Sequence, residues 1–393
     1  MNTKIYRTIL AITALFMLNT CKKPFLPEVV ASNSNYLVVE GVINPGQDST
    51  IIRLSRTVKL SDSVSSNPEL HATVTVESDA NTSYQLTESK NGYYAAAGPN
   101  LSSSNKYRVK IVTADSKVYQ SDLVPVKNAP PIDSVHYQIK NDGVQINVDT
   151  HDPSNNTRYY RWEYNETWII HSRYSSISVV THVPKDSVVN RPLADQIYTC
   201  WANSASSAII LNSTAKLSGD IVKDSPVTFI ASSSERVKTR YSILVKQYAV
   251  TKEAYNYFTQ LKKNTEQLGS IFDAQPSEIM GNIHCLTNPA EPVIGYITAG
   301  TFSQSRIYIN NRDLPAWQTE LPFADCKMDT LYYVNPKTGL NDVKTYILNG
   351  GQIPIYPIQP PRLPIIGFAA SDPQCVDCTL RGTNKQPDFW TNQ

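Results

Sequence analysis

Residues 36–126 carry short apolar segments at regular spacing, and this pattern restricts the possible folds more than any other feature of the chain. In KYRVKIVTA, for example, Tyr107, Val109 and Ile111 alternate with charged residues, which predicts a strand with one buried and one solvated face. Turn-forming residues separate the segments at spacings typical of a sandwich. We therefore predict an immunoglobulin-like β-sandwich over residues 35–127. Its expected strands are YLVVEGVI, STIIRLSRTVKL, ATVTVES, SYQLTES, GYYAAAG, KYRVKIVTA and KVYQSDLVPV.

A second β-rich region follows the segment NAPPIDS at 128–134, whose paired prolines cannot donate to a strand ladder. SVHYQIK and DGVQINVDT flank an Asn-Asp-Gly turn, which favours a hairpin, and TRYYRWEYNETWII follows them. Strands around ISVVTHV and IYTCWANS are expected to complete a fibronectin-like module. We assign this module, with a C-terminal α+β elaboration, to residues 128–393.

One amphipathic helix is expected in the C-terminal half of the chain. Thr251 is a suitable N-cap, and Glu253 lies in the first turn. Apolar side chains then recur at helical spacing from Ala254 to Leu261, and the pattern ends near Gly269. The apolar face is expected to pack on a sheet. The predicted fold class is therefore mainly β, with tandem immunoglobulin/fibronectin-like β-sandwich modules and this one helix.

The segments after the helix are predicted to form strands and a proline-rich loop. VIGYITAG, SRIYINN, TLYYVN and KTYILNG have strand composition. The tract IPIYPIQPPRLP at 353–364 is interpreted as a loop that wraps the body. A recognition surface of polyproline type is the alternative.

The first 20 residues have the organisation of a bacterial export signal. Lys4 and Arg7 form a positive flank, and the apolar segment 9–18 is much shorter than the roughly 20 residues that span a bilayer. A cysteine follows at position 21. This arrangement predicts a lipoprotein signal peptide over residues 1–20.

Cys21 is the predicted lipidation site. Its thiol would carry a diacylglycerol, and cleavage before it frees an amine for a further acyl chain such as palmitate. At ~0.8 kcal/mol per buried CH₂, two or three such chains anchor a protein firmly. Residues 21–34 contain two prolines and few strand formers, which favours an extended tether. An ordinary secretory signal with an unrelated cysteine is the alternative, which Thr20 favours because a smaller residue usually precedes the lipidated cysteine.

The mature chain is electrically balanced. The sequence has 36 basic and 34 acidic residues, and Lys4 and Arg7 are removed with the signal peptide, so 34 of each sign remain. Binding to nucleic acid depends on neutralising phosphates, so this balance, with no basic cluster, argues against a nucleic-acid partner.

Five cysteines remain after Cys21. In an exported protein they are candidates for disulfide bonds, and their odd number leaves at least one thiol unpaired. Two of them also have the C-x-x-C spacing of zinc and redox sites. A zinc site normally brings a second such pair, and a redox motif normally opens a helix in a βαβ unit. A structural disulfide network is therefore preferred, with its pairing open. The five are Cys200, Cys285, Cys326, Cys375 and Cys378.

The sequence contains none of the common catalytic signatures, such as H-E-x-x-H, G-x-S-x-G or a phosphate-binding glycine loop. We therefore expect a protein that is not an enzyme, with no catalytic residues, no metal and no cofactor besides the covalent lipid on Cys21. Asp149, His151 and Asp152 in NVDTHDPSNN could ligate a cation, but a calcium loop needs further oxygen ligands and a turn glycine. A polar turn at the end of a strand is preferred.

The segment YYRWEYNETW at 159–168 has a dense cluster of aromatic residues. As a strand, it places the even-numbered residues from Tyr160 to Glu166 on one face and the odd-numbered residues from Tyr159 to Asn165 on the other. The even-numbered set suits a sandwich core. A ligand platform is the alternative.

Four segments together carry a family resemblance: the mature start from Pro24 to Glu28, YLVVEGVI, GNIHCLTNPAEPVIGYITAG and CVDCTLRGTNKQPDFW. They resemble the DUF4249 family of exported lipoproteins from Bacteroidota-type bacteria. Cys285 departs from the family pattern, so the resemblance makes it the candidate for the unpaired thiol and leaves the other four as disulfide candidates. The most specific positions are Asn288, Pro289, Gly295, Tyr296, Cys375, Cys378, Gly382, Lys385, Pro387, Phe389 and Trp390.

The resemblance implies an outer-membrane lipoprotein that acts with a TonB-dependent receptor, and it brings no catalytic residues. The expected function is that of an accessory or cargo-binding partner of such a receptor, anchored in the outer membrane by Cys21. The alternative is a glycan- or peptide-binding surface lipoprotein that uses tyrosine and tryptophan faces. An envelope hydrolase with a site assembled from distant residues is a third possibility.

Overall fold

The computed structural model describes residues 35–58, 67–98, 100–266, 280–318 and 325–391. The signal peptide 1–20, the tether 21–34 and Cys21 lie outside these ranges. The predicted alternation of the KYRVKIVTA strand is confirmed, since Tyr107, Val109 and Ile111 are buried. The first nine strands are β1 Leu37–Ile43, β2 Thr50–Arg56, β3 Asn67–Pro68, β4 Thr73–Ser78, β5 Ser83–Glu88, β6 Tyr93–Ala96, β7 Lys106–Val112, β8 Val118–Ser121 and β9 Val124–Lys127.

Nine more strands lead to the predicted helix. The helix α1, Lys252–Glu266, begins after Thr251, whose Oγ1 accepts the Ala254 N–H at 3.2 Å. The strands are β10 Ile132–Lys140, β11 Gly143–His151, β12 Tyr159–His171, β13 Ser178–Thr181, β14 Ser187–Asn190, β15 Thr199–Ala205, β16 Ile210–Ser213, β17 Ile221–Ala231 and β18 Arg240–Ala249. Tyr255 of α1 packs with its ring 5.1 Å from that of Tyr159 in β12. The helix therefore packs on a sheet, as predicted.

Seven strands and short helical segments complete the described chain. The strands are β19 Ile283–Cys285, β20 Val293–Gly295, β21 Thr298–Gly300, β22 Phe302–Asn310, β23 Asp329–Tyr332, β24 Ile353–Ile358 and β25 Gly367–Ser371. The second α-helix, α2, spans Pro373–Val376, and short 3₁₀ or π turns span Leu193–Asp195, Glu235–Val237, Asn311–Asp313, Val343–Leu348 and Cys378–Leu380. In the described part of the chain, no helix has both the length and the apolar character that crossing a bilayer requires. The mainly β fold class is confirmed.

The first module is a sheet that returns on itself. Its strand order runs β9-β21-β1-β2-β6-β5-β4-β7, and β9 also pairs with β7. The interior holds a continuous apolar core that includes Leu37, Ile52, Val74 and Ile111. Three strands from beyond residue 280 belong to this module, because β20 and β21 pair in parallel with β1 and β19 pairs with β8.

The second module is a sandwich of two sheets. The order β10-β11-β17 forms one sheet, and β15-β12-β18-β22, with β16 on β12, forms the other. Their facing sides meet in one core, to which β11 contributes Ile146 and β12 contributes Trp162. The division of the chain at residues 127 and 128 stays a prediction about folding units, since the first module draws strands from both sides of it.

Three predictions of local structure are wrong. KTYILNG forms a helical turn instead of a strand, because Val343 and Ile347, four residues apart, are buried together against the β23-β25-β24 sheet. The proline tract 353–364 begins as the strand β24 rather than as a loop. Proline lacks an N–H donor, but β24 is an edge strand that pairs only with β25 among the described strands. Its prolines therefore cost the sheet no hydrogen bond. ISVVTHV pairs with β14 in a separate hairpin and does not complete the sandwich.

Candidate ligand cleft between the two modules

A cleft of about 590 Å³ lies between the outer faces of the two modules. One wall comes from β1, β2 and β6, and the other comes from β12, β18 and β22. This volume falls within the range of small-molecule sites, roughly 300–1,000 Å³. We call this feature the inter-module cleft.

The first-module wall carries an arginine held in place by two neighbours. Arg53 on β2 places Nη1 3.2 Å from Glu40 Oε2 on β1, and its guanidinium lies 5.5 Å from the ring centre of Tyr93 on β6. Strand alternation explains the placement, because the neighbours Ile52 and Leu54 point into the core. The wall thus offers a cation, a carboxylate and an aromatic ring side by side.

The second-module wall repeats this combination. Arg161 on β12 forms an ion pair with Glu163 and lies over the rings of Tyr248, at 5.6 Å, and Phe258, at 4.6 Å. The Tyr248 hydroxyl donates to Glu163 Oε2 at 3.2 Å. Lys246 lies over the ring of Phe302, 5.1 Å from its centre. These contacts fix the polar groups in defined positions.

The electrostatics of the cleft keep Tyr248 neutral. Burial raises the pKa of Tyr248 far above its ordinary value, and the negative charge of Glu163 adds to the effect. Tyr248 is therefore a hydrogen-bonding phenol at physiological pH. Arg161 opposes this rise but does not cancel it. The three cations Arg53, Arg161 and Lys246 stand against carboxylates from both walls, so the cleft carries mixed charge.

The described residues that line the cleft include no histidine or cysteine. Ser206, one of its hydroxyl groups, accepts the backbone N–H of Tyr164 and has no adjacent general base among its contacts. The arrangement suits the binding of a polar ligand by aromatic faces and charge-assisted hydrogen bonds.

The cleft also shows what the sequence reasoning missed. The even-numbered residues of YYRWEYNETW enter the core as predicted, with Tyr160 at 0% and Trp162 at 1% exposure. The odd-numbered face, for which the sequence pattern predicts no role, supplies Arg161 and Glu163 to the cleft. A strand that faces a ligand has alternating polar and aromatic residues, and a strand that faces solvent has the same pattern. The sequence therefore does not distinguish the two.

The polar turn after β11 is confirmed. Asp152 accepts the backbone N–H groups of Ser154 at 2.9 Å and Thr157 at 2.8 Å, and these bonds outweigh the effect of burial and lower the Asp152 pKa to about 2. His151 turns away and pairs with Asp133 at 2.8 Å. The three residues of the suggested cation loop therefore do not share one site.

Asp149 instead lies in a different cluster. Its carboxylate, His136 and Asp224 present ligand atoms that all lie within 4.8 Å of one another. His136 Nε2 is already 2.9 Å from Asp224, and Lys223 Nζ is 3.5 Å from Asp149. The cluster is thus an ion-pair network on the surface of the β10-β11-β17 sheet.

The four disulfide candidates form two bonds. Cys200 pairs with Cys378, and Cys326 pairs with Cys375. The two cysteines of the C-x-x-C segment therefore bond to different partners rather than to each other, and both are buried. Cys285 is a buried free thiol on β19. The predicted lipidation site Cys21 lies outside the described residues.

The segment 288–292 holds the late strands against the first module. Glu291 accepts the Tyr119 hydroxyl at 2.5 Å and Lys117 Nζ at 2.8 Å, and its Oε1 lies 3.7 Å from Arg56. Arg56 in turn bonds to Glu69 at 2.6 Å. Burial favours the neutral form of Glu291, but Lys117, Tyr119 and Arg56 together lower its pKa.

The C-terminal tail packs on the β15-β12-β18-β22 sheet of the second module. Phe389 lies under Arg306, 3.7 Å from the guanidinium, and Trp390 meets Trp201 with ring centres 6.4 Å apart. Gly382 comes so close to this sheet that an added Cβ would lie 2.6 Å from the Trp201 carbonyl oxygen. These tail positions therefore have structural roles.

Comparison with known proteins gives a family and distant similarity to solved structures. No curated protein matches the sequence. Among solved structures, chitinase ChiA74 from Bacillus thuringiensis aligns over 49% of this chain and 28% of its own, at 11% identity and a TM-score of 0.14. That score is too low to support an argument about fold or function. The family model "Domain of unknown function (DUF4249)" matches residues 22–306, which is most of the chain. The chain therefore belongs to the DUF4249 family.

Proposed function

We propose that this protein is a non-enzymatic lipoprotein of the outer membrane that binds cargo in its inter-module cleft as the partner of a TonB-dependent receptor. The observation that supports binding is the pairing of two walls, each of which carries a fixed cation, a carboxylate and an aromatic ring. The lipid anchor and the receptor rest on the N-terminal pattern and on family membership.

The chemistry of the cleft favours an uncharged or zwitterionic polar ligand. Charged groups of both signs line it, so a ligand with a strong net charge would meet repulsion on either wall. Tyr93 is 40% exposed, and aromatic faces of this kind stack against sugar rings and apolar side chains. An oligosaccharide or a short peptide fits this description, and either could be cargo or a surface ligand.

The cleft is tested by calorimetric titration of the mature protein with panels of oligosaccharides and short peptides. We expect Tyr93→Ala and Arg161→Ala each to weaken the binding of a ligand by about tenfold, since each removes a contact worth roughly 1–2 kcal/mol. Tyr346→Ala, which removes a tyrosine that is 48% exposed outside the cleft, is the matched control. Equal affinity in all three variants would show that the ligand binds elsewhere.

The anchor is tested by mass spectrometry of the processed N-terminus. Cleavage before Cys21 with two or three acyl chains attached is the expected result. A Cys21→Ala variant should move from the membrane to the soluble fraction, because the acyl chains provide most of the membrane affinity. If the variant stays equally membrane-bound, another part of the chain holds it there.

The partner is tested by purification in mild detergent after crosslinking in cells. A TonB-dependent receptor should be recovered with the wild-type protein and should be lost with the Cys21→Ala variant. Recovery of no envelope protein in either sample would contradict the accessory role.

A further inference from the structure

Two loops meet at one end of the β23-β25-β24 sheet. The antiparallel register places Tyr332, Gly367 and Ile358 at the same end. Residues 333–341 leave β23 there, and residues 359–366 connect β24 to β25. The Tyr333 N–H donates to the Ile366 carbonyl at 2.9 Å, so the two loops run side by side. We call these two loops the sheet-end tip.

The sheet-end tip exposes several large apolar side chains on its two adjoining loops. Val334 and Ile365 lie one step beyond the bonded pair of Tyr333 and Ile366, and the Asn335 N–H donates to the Leu340 carbonyl at 2.8 Å. Scattered exposed apolar residues are normal, but neighbouring ones on a single tip indicate a contact surface. The exposed fractions are 38% for Tyr333, 70% for Val334, 66% for Leu340, 55% for Leu363, 41% for Ile365 and 37% for Ile366.

The charges of the tip have one sign. Lys337 and Arg362 are exposed, and neither forms an ion pair with any described residue. The two loops contain no aspartate or glutamate. The nearest carboxylate along the chain, Asp342, is buried and accepts the side-chain N–H of Asn335 at 2.7 Å. The tip therefore presents apolar side chains and two cations that have no ion-pair partner among the described residues.

The tip is also held in shape. The Leu363 N–H donates to the Pro360 carbonyl at 3.1 Å, and the Gln359 side chain donates to the Leu363 carbonyl at 2.9 Å. Prolines at four positions of the two loops further restrict the backbone. A surface that is already ordered loses little conformational entropy when it makes a contact.

We propose that the sheet-end tip contacts the surface of an anionic phospholipid bilayer. Apolar side chains flanked by basic residues that pair with no carboxylate in the described part of the chain match the boundary between acyl chains and phosphate headgroups. Protein interfaces are enriched in arginine but depleted in lysine, and a protein partner would have to supply carboxylates for both cations, so a protein fits less well. This inference rests on the proposed membrane location but not on the cleft. The tip would set how the lipid-anchored body is oriented on the membrane.

The test is cosedimentation of the unacylated mature chain, residues 22–393, with vesicles of phosphatidylethanolamine and phosphatidylglycerol. Wild-type protein should sediment with these vesicles and release as salt is raised. Leu363→Asp should lower the partition coefficient by about tenfold, and Arg362→Glu by about fivefold. The matched controls are Leu217→Asp, at a leucine that is also 55% exposed, and Lys216→Glu beside it, each with less than about a twofold effect.

Three results would overturn the proposal: wild-type protein that does not sediment with anionic vesicles, equal loss in tip and control variants, or equal binding to neutral phosphatidylcholine vesicles. The first of these would favour a protein as the occupant of the tip. Val334→Asp replaces Leu363→Asp if the latter has an altered circular dichroism spectrum. Because the protein carries no acyl chain in this experiment, the result is independent of the Cys21 anchor and of cargo binding.

Discussion

Glu291 is the residue whose protonation should control the acid stability of the first module. Its folded-state pKa lies below the ordinary value of 4.5, so it adds stability that is fully present above about pH 4.5 and is lost as the pH falls through the folded-state value. Glu291→Gln should lower the free energy of unfolding by about 3 kcal/mol at pH 7, because Arg56 and Lys117 lose a buried partner. Urea unfolding at pH 7 and pH 3 measures this.

The same experiment compares the effect of Glu291→Gln at two pH values. The difference between wild type and Glu291→Gln should be smaller at pH 3 than at pH 7, because lowering the pH favours the neutral form of the wild-type carboxyl. Glu40→Gln serves as the control, since its ion pair with Arg53 is largely exposed and contributes little. A difference that is the same at both pH values would show that the contact does not depend on charge.

Gln247 is a second residue on which the fold depends. It is fully buried, accepts the Trp162 indole N–H at 2.9 Å, and donates to the Pro130 carbonyl and to Thr150 Oγ1, each at 2.9 Å. Gln247→Leu leaves these groups without partners, so we expect a loss of about 3 kcal/mol in the free energy of unfolding. Gln304→Leu on the exposed side of β22 should change it by less than about 0.5 kcal/mol. Denaturant titration compares the two.

At the scale of the element, α1 is the clearest case of local sequence deciding local structure. Thr251→Ala removes the N-cap acceptor of the Ala254 N–H and should cost about 1 kcal/mol. Thr265→Ala removes a hydroxyl that donates to the Leu261 carbonyl within the last turn and should be neutral or slightly stabilising. Thermal unfolding followed at 222 nm separates the two. Equal melting temperatures would contradict the capping role.

The strands of the first module were predictable for the same reason. Strands such as β2, β4 and β7 alternate buried and more exposed residues, so their local pattern is complete within each segment. KTYILNG was not predictable in this way, because its β-branched and aromatic residues favour a strand. Burial of Val343 and Ile347 against Phe368 decides for the helical turn, and Phe368 lies distant in sequence.

At the scale of the whole molecule, the disulfide between Cys200 and Cys378 holds the tail to β15 across a sequence separation of 178 residues. The double substitution Cys200→Ala/Cys378→Ala should lower the free energy of unfolding by about 3–5 kcal/mol, because the unfolded chain regains conformational freedom. Guanidinium unfolding measures this. Cys285→Ala removes a buried thiol without a disulfide and should cost about 1 kcal/mol.

The interleaving of the modules was beyond the reach of local reasoning. Gly295 illustrates this: its φ of +138° and the 2.1 Å between a hypothetical Cβ and the Val39 carbonyl oxygen require glycine where β20 meets β1. The sequence marks Gly295 as a specific position of the family but gives no sign that its partner lies more than 250 residues earlier. Parallel pairing across that separation depends on the whole fold.

The inter-module cleft also depends on contacts between residues that are distant in the sequence. The odd-numbered face of β12 was visible in the sequence, and its arginine and glutamate could be named, but a solvated strand and a cleft wall have the same alternation. The opposite wall comes from β1, β2 and β6, and only the packing of the two modules brings Arg53 and Tyr93 opposite Arg161.

The sequence by itself determined the mainly β class, most strand positions and the helix with its cap, because strand alternation, helical periodicity and capping act within a few residues. The tertiary structure decided which cysteines pair, which late strands complete the first module and where the cleft and the sheet-end tip form. These features join side chains that are distant along the chain, and the free energy that brings them together comes from burial in shared cores, which no local pattern encodes.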